Sequence, residues 1–274
     1  MMHGRKHLIA WMLITLCVST TSQATEPQKE LKIAAIIDVA ITAATTEFLQ
    51  LAYERLDVSM QTLHTPSRRA LMMANTGMLD GDLFRIEQAA FDYPNLVRVD
   101  YPLLLGELHA VVRPGEGDLL STPSAKPKTA AIRRGIIIAE QTAKAMGLEL
   151  VQANTYEQVR ALLESGRVDT ALVADIQGFG PLALESWQEF EILPAPVATF
   201  TLFHYLNRRH EELAKALPAI LADLEKDGMK TKILRKFRKK QRKWDSEEYS
   251  TGSSGTDSAP NNPQSLLKRL LYFL

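Results

Sequence analysis

Twice along this chain an apolar, β-branched run gives way to helical spacing, and each time the alternation repeats. Residues 31–40, LKIAAIIDVA, read as a buried strand. TTEFLQLAYERL follows with helical spacing, and VSMQTLH alternates like a strand. A helix is then expected from Thr65, with its hydroxyl as cap, Pro66 at the first helical position and Gly77 as the stop. MLDGDLF closes the first unit as a short strand. After the turn-rich RPGEGDLLSTPSAKPK the order repeats. TAAIRR, LELVQA and VDTALVA are strands; between them lie GIIIAEQTAKAMG and TYEQVRALLESG, the latter opening on a Thr155-to-Gln158 capping box. Two β-α-β-α-β units predict an α/β protein, each unit a mostly parallel sheet flanked by helices.

The rest of the chain fits that frame. EILPAPVATFTLFHYLNRRH reads as a crossing segment. HEELAKALPAILADLEKDG is helical, with Pro218 expected to bend or break it. MKTKILRKFRKKQRKW is helical and strongly basic. The stretch from Asp245 is polar and rich in Gly, Ser and Pro, a composition expected to stay disordered, and SLLKRLLYFL ends the chain as a short amphipathic tail. A leader is expected at 1–24 and a linker plus tail at 245–274.

The leader is read from three segments in order: basic MMHGRKH, a short apolar run, and small residues at Ser22 and Ala24. Cleavage after Ala24 would place the protein in the periplasm and leave a formal charge of −2. The one cysteine, Cys17, lies in that leader, so the mature chain would carry no thiol for metal, disulfide or nucleophilic chemistry. The overall charge balance gives no pull toward nucleic acid. No GxSxG, Walker or GxGxxG pattern occurs, and His64, His109 and His204 are scattered singly, so no cofactor and no metal are expected.

Arginines raise the functional question. Arg68 and Arg69 fall in the first turn of the helix after Pro66, the wrong end for cations, and Arg85 ends the next strand. Ligands of open parallel sheets lie outside the carboxyl ends of the strands. Arg69 and Arg85 are therefore candidates to grip an anion by forked hydrogen bonds, with Arg68 facing water.

The strings YERL…RRALMMANTG…DGDLFRI…YPNLVRVDYPLL…HAVVR, RRG…NTYEQVRALLESGRVDTALVAD and HYLNRRHEEL…LPAILADLEKDGM together resemble the bacterial extracellular solute-binding proteins of family 3, over roughly residues 31–243. The resemblance implies the two-lobed periplasmic-binding-protein fold, type II, with two crossover strands and a ligand between the lobes: the first part of lobe 1 at 25–117, lobe 2 at 118–194 and a return of lobe 1 at 195–244. It implies that the turn at Arg134 and Gly135 offers backbone N–H groups to the ligand and that Asp175 holds an amino group. The chain departs from the family in two places. Where amino-acid binders carry Thr-x-x-Arg it reads AAFDYPN, and Asp175 lies one residue later than the pattern.

The expected function is binding of a small anionic or zwitterionic solute by a monomer. A membrane permease or receptor as partner is implied only by resemblance. A dehydratase-like enzyme using Asp82, Glu87 or Asp175 is the alternative, and a sensory module is a third reading. Weak membrane-surface contact through the basic helix and tail is a further expectation.

Overall fold

The computed structural model describes residues 29–252 except Asp38 and Ala125, and of Lys29, Ala89, Ala90 and 242–252 only the backbone. The leader, Cys17 and the tail lie outside the described residues.

The first unit contains β1 (Lys29–Ile36), α1 (Thr42–Glu54), β2 (Val58–Thr65), α2 (Ser67–Asn75), β3 (Gly81–Ile86) and β4 (Leu96–Arg98). A long strand, β5 (Leu104–Val112), leads into the second unit. There follow β6 (Thr129–Arg133), α3 (Ile137–Ala145), β7 (Glu149–Ala153), α4 (Tyr156–Glu164), β8 (Thr170–Ile176) and β9 (Glu191–Ile192). The chain returns along β10 (Ala198–Asn207) and ends in α5 (Glu211–Lys226) and α6 (Met229–Gly252).

The strand order is the same in both units. In the first it runs β2-β1-β3-β10-β4, and in the second β7-β6-β8-β5-β9. The first three strands of each set are parallel. The fourth is antiparallel and comes from the crossing strand that carries the chain to or from the other unit. β5 and β10 also pair with each other, from Ala198 opposite Leu108 to Leu202 opposite Leu104. The two crossings are thus one antiparallel ribbon, and both units hang from it.

Alternation explains which faces are buried. The larger core packs Leu31 and Ile33 of β1, Val58 and Met60 of β2 and Leu83 of β3 under Phe48, Leu49 and Tyr53 of α1. Leu217, Leu221 and Leu224 of α5 and Ile233 and Phe237 of α6 close it. The second unit has its own core, with Val159 and Leu163 of α4 against Ala171 and Val173 of β8 and Trp187.

Three local expectations are refined. Thr65 stays in β2, paired with Ile36, so Pro66 takes the cap position and α2 starts one residue later without a side-chain cap. α5 runs through Pro218 unbroken: the buried stripe of Ala214, Leu217, Leu221 and Leu224 holds the helix although proline removes a donor. α6 continues to Gly252, into the stretch expected to be a linker. The acidic and aromatic residues just after Trp244 are compatible with a helix. The Thr155 cap forms, its hydroxyl accepting from Gln158 N at 3.2 Å, and the Gln158 side chain accepts from Asn154 N at 2.9 Å.

Candidate functional site

The carboxyl ends of β1, β3, β6 and β8 meet where the two units face each other, and there the units touch directly. Ser67, first residue of α2, donates its hydroxyl to the Gly135 carbonyl at 3.1 Å. Arg133 donates to the Ile37 carbonyl at 3.0 Å. Arg68 of α2 pairs with Glu140 of α3 at 3.3 Å, although the arginine is largely exposed. Gly135 has φ +83°, and a Cβ there would press on Ser67 at 3.2 Å. Only glycine reconciles that backbone with that approach.

Arg85 lies beneath this contact rather than free at a wall. Its guanidinium donates to the Ser67 hydroxyl at 2.8 Å, to the Ser67 carbonyl at 3.1 Å and to Asp82 Oδ2 at 2.7 Å. Asp82 is fully buried, and burial pushes its carboxyl up against the downward pull of the Arg85 charge. Asp82 Oδ1 and Arg85 Nε have no partner among the described residues. Arg69 is exposed and makes no ion pair with any described residue. Arg69 and Arg85 are therefore not joined in one clamp in this conformation.

Of the other sequence-chosen residues, Arg134 is exposed and its N–H is spent on the Ala153 carbonyl at 2.8 Å. The Gly135 N–H points at Glu140 Oε1, a long contact of 3.4 Å. Glu140 is in the first turn of α3, so its carboxylate stands where an anion would meet that helix end. Asp175, at the end of β8, accepts from Gly178 N at 2.7 Å. Tyr156 is a packing aromatic whose hydroxyl reaches Ala174 N at 3.3 Å.

Between the units and against the crossing ribbon lies a cavity of about 720 Å³. Glu87 and Gln88 follow β3 on one side; Ile138 of α3 and Asp175, Gln177 and Gly178 stand on the other. The ribbon supplies the floor, notably Gly106 and Glu107 of β5 and Phe200 and Phe203 of β10. Gly106 pairs with Phe200 across the ribbon, and a Cβ at Gly106 would collide with the Phe200 ring. The lining carries three carboxylates and no lysine or arginine. Glu87 is committed to Arg98 at 2.6 Å; Arg98 also bonds Asp100 at 2.9 Å and lies over the Phe203 ring at 4.5 Å. Glu107 contacts His109 at 3.1 Å.

Glu107, Phe200 and Phe203 were not singled out by sequence reading. They belong to strands far apart in sequence, and only ribbon pairing unites them. A glycine inside β5 was the one available signal, since such a glycine marks a close approach.

Behind Arg85, β10 shifts register between Phe203 and Tyr205. His204 turns inward there. Its Nδ1 meets the Asp82 and Leu83 carbonyls at 2.9 and 3.1 Å, so Nδ1 carries the proton. Nε2 then accepts from the Tyr53 hydroxyl at 2.8 Å. Burial pulls the His204 pKa down to about 4, against the two carbonyl bonds. Among the described residues, no group of three or more His, Cys, Asp or Glu could hold a metal ion.

A pair of sheets with the same strand order, each borrowing its antiparallel strand from the crossing ribbon, decides the architecture. The fold is that of a type II periplasmic binding protein. Solved structures agree in fold. The BvgS VFT2 domain of Bordetella pertussis superposes with a TM-score of 0.58 at 15% identity, over 75% of this chain and 92% of that one. The amino-acid ABC transporter substrate-binding protein AbpA of Streptococcus pneumoniae, bound to L-arginine, gives 0.60 at 14%, over 77% and 94%. An ancestral amino-acid-binding protein described as a precursor of cyclohexadienyl dehydratase gives 0.60 at 14%, over 76% and 95%. No family model matches the sequence, and no curated protein matches it significantly. This type II fold thus serves transport, sensory and pre-enzymatic proteins alike.

Proposed function

We propose that this chain is an exported solute-binding protein of the family 3 type, and that its solute is a small cation carrying an amine. The observation that carries the reading is a charge arrangement. Two places suited to gripping an anion are filled by the protein's own carboxylates, Asp82 at Arg85 and Glu140 at the start of α3. The cavity beside them holds Glu107 and Asp175 and no lining lysine or arginine. An ammonium group suits that lining, with Phe200 as an apolar and π-rich neighbour. A cationic solute thereby replaces the anionic or zwitterionic one expected from Arg69 and Arg85.

Two of the three acids that an enzyme would use are committed elsewhere, Asp82 to Arg85 and Glu87 to Arg98. That favours binding over turnover. A sensory role is the second reading, favoured by one contact. Arg238 of α6 donates to the Gln177 carbonyl at 2.7 Å and lies over Phe179 at 5.4 Å, so the C-terminal helix touches the cavity rim.

No described helix is long and apolar enough to cross a membrane. Export is tested by mass spectrometry of the envelope-derived protein, which should begin at Thr25. The solute class is tested by a thermal-shift screen of amines, basic amino acids and organic acids, because a ligand that binds only the folded state raises apparent stability. Amines should raise the melting temperature; a response to organic acids alone would refute the solute class.

A further inference from the structure

From Met229 to Trp244 the chain carries nine lysines and arginines and no acid; the three acids of α6, Asp245, Glu247 and Glu248, all follow in its last two turns. The helix α6 sorts the cations. Ile233, Phe237 and Gln241 are buried, against the core beneath α1 and α5. Lys232, Arg235, Lys236 and Lys239 recur at helical spacing on the exposed side. Lys236 pairs with Glu47 of α1 at 2.6 Å and remains half exposed. Lys232, Arg235 and Lys239 make no ion pair with any described residue. Arg242 and Lys243 follow in sequence. From Lys232 to Lys243 the basic stretch runs about 16 Å along the helix.

A helix face that merely meets water usually mixes signs. α5 does so: Lys215 bonds Glu211 and Glu212 of its own first turn at 3.2 and 2.9 Å. In α6 the positions four apart, 232 and 236, 235 and 239, 236 and 240, are all cationic. Such pairs repel and weaken a helix. The rest of the chain is correspondingly acidic, since lysines and arginines equal acids overall. The cationic ridge is thus a concentrated local departure, carried at a cost by one face of one helix.

We infer that this face of α6 is a docking surface for the anionic lipid headgroups of a bilayer. A straight ridge of long, snorkelling cations fits a planar anionic surface. The sequence beyond Gly252 supports a bilayer over a soluble polyanion. It is 22 residues long and ends in LLKRLLYFL, apolar residues around a Lys-Arg pair, a composition suited to an interface. The inference is independent of what the cavity binds.

The test is co-sedimentation of the full chain from Thr25 onward, so that the apolar leader cannot contribute. Vesicles of equal phosphatidylglycerol and phosphatidylcholine are compared with pure phosphatidylcholine, at low and high salt. The protein should bind the anionic vesicles, release at high salt and ignore the neutral ones. Lys232→Glu, Arg235→Glu and Lys239→Glu together should lower partitioning at least about a hundredfold, taking roughly fivefold per cation lost. The melting temperature should be preserved, because none of the three is buried or paired with a described residue. If the reversal variant fails to fold, the corresponding triple glutamine variant decides. Equal binding by variant and parent overturns the proposal. So does equal partition to neutral vesicles, which would assign attachment to the tail. Failure on vesicles with retention on polyphosphate or nucleic acid would overturn it as well.

Discussion

Replacing Arg85 by methionine separates a structural arginine from a ligand-gripping one. Arg85 makes three hydrogen bonds, two to Ser67 and one to Asp82 Oδ2 at 2.7 Å, and both members of the ion pair are almost wholly buried. Methionine fills most of the volume but leaves Asp82 buried without its counter-charge. Breaking one side of such a pair costs about 3–5 kcal/mol. The loss should depend on pH. Burial already pushes the Asp82 carboxyl up, and Arg85 is what holds it down. Without Arg85 the folded-state pKa climbs further above the unfolded value. A group raised in this way leaves stability intact below its unfolded pKa, near 4, and removes it as pH rises toward the folded pKa. Arg85→Met should therefore lose little more than its two Ser67 hydrogen bonds at about pH 4 and fall far below the parent at about pH 8. Adding Asp82→Asn should restore most of the difference, because an amide needs no counter-charge. Urea denaturation followed by fluorescence at the two pH values measures both effects. A pH-independent loss below about 1 kcal/mol would refute the reasoning, and would mean that Arg85 is free to serve a ligand.

Three further outcomes are expected. His204 should make the fold acid-sensitive: between pH 6.5 and about 4 the unfolded chain binds a proton that the folded protein refuses. Stability should fall by roughly 3 kcal/mol as pH drops through that window, and His204→Gln should flatten that part of the denaturation profile. Gly135→Ala puts a side chain on a φ of +83° and against Ser67, so it should cost about 1–3 kcal/mol and swing the units apart, seen as a larger radius of gyration in small-angle scattering. Gly106→Val should drive the Phe200 ring off β5 and abolish solute binding, while the thermal transition stays cooperative.

The architecture was legible because alternation and helical period survive in every core element. Ile33, Leu31 and Met60 face one layer, while Val159 and Leu163 recur at helical spacing. The turn glycines Gly77, Gly147 and Gly166 mark helix ends and have positive φ. The site was less legible, for a physical reason. A cavity floored by two crossing strands depends on which residues of β5 face which of β10. That register is a tertiary fact, carrying Glu107 opposite Thr199 and Gly106 opposite Phe200. Arg85 ends at the meeting of the two units, bonded to Ser67. What local sequence did not reveal is that Asp82, three residues earlier, folds its carboxylate onto that same guanidinium.

The account's central claim is that a cationic amine is held between the units by carboxylates, and Asp175 tests it most directly. Asp175 lines the cavity from the second unit while one of its oxygens caps the Gly178 N–H. Asparagine at this position keeps an oxygen for that cap and removes the charge. Isothermal titration of parent and Asp175→Asn with the best amine from the thermal screen decides the matter. A charge-assisted hydrogen bond of about 1.5–3 kcal/mol predicts roughly a 10- to 150-fold weaker affinity in the variant, with the melting temperature of the free protein little changed. Unchanged affinity for the amine, or tight binding only of organic anions that disappears with Arg69→Ala, would contradict the account.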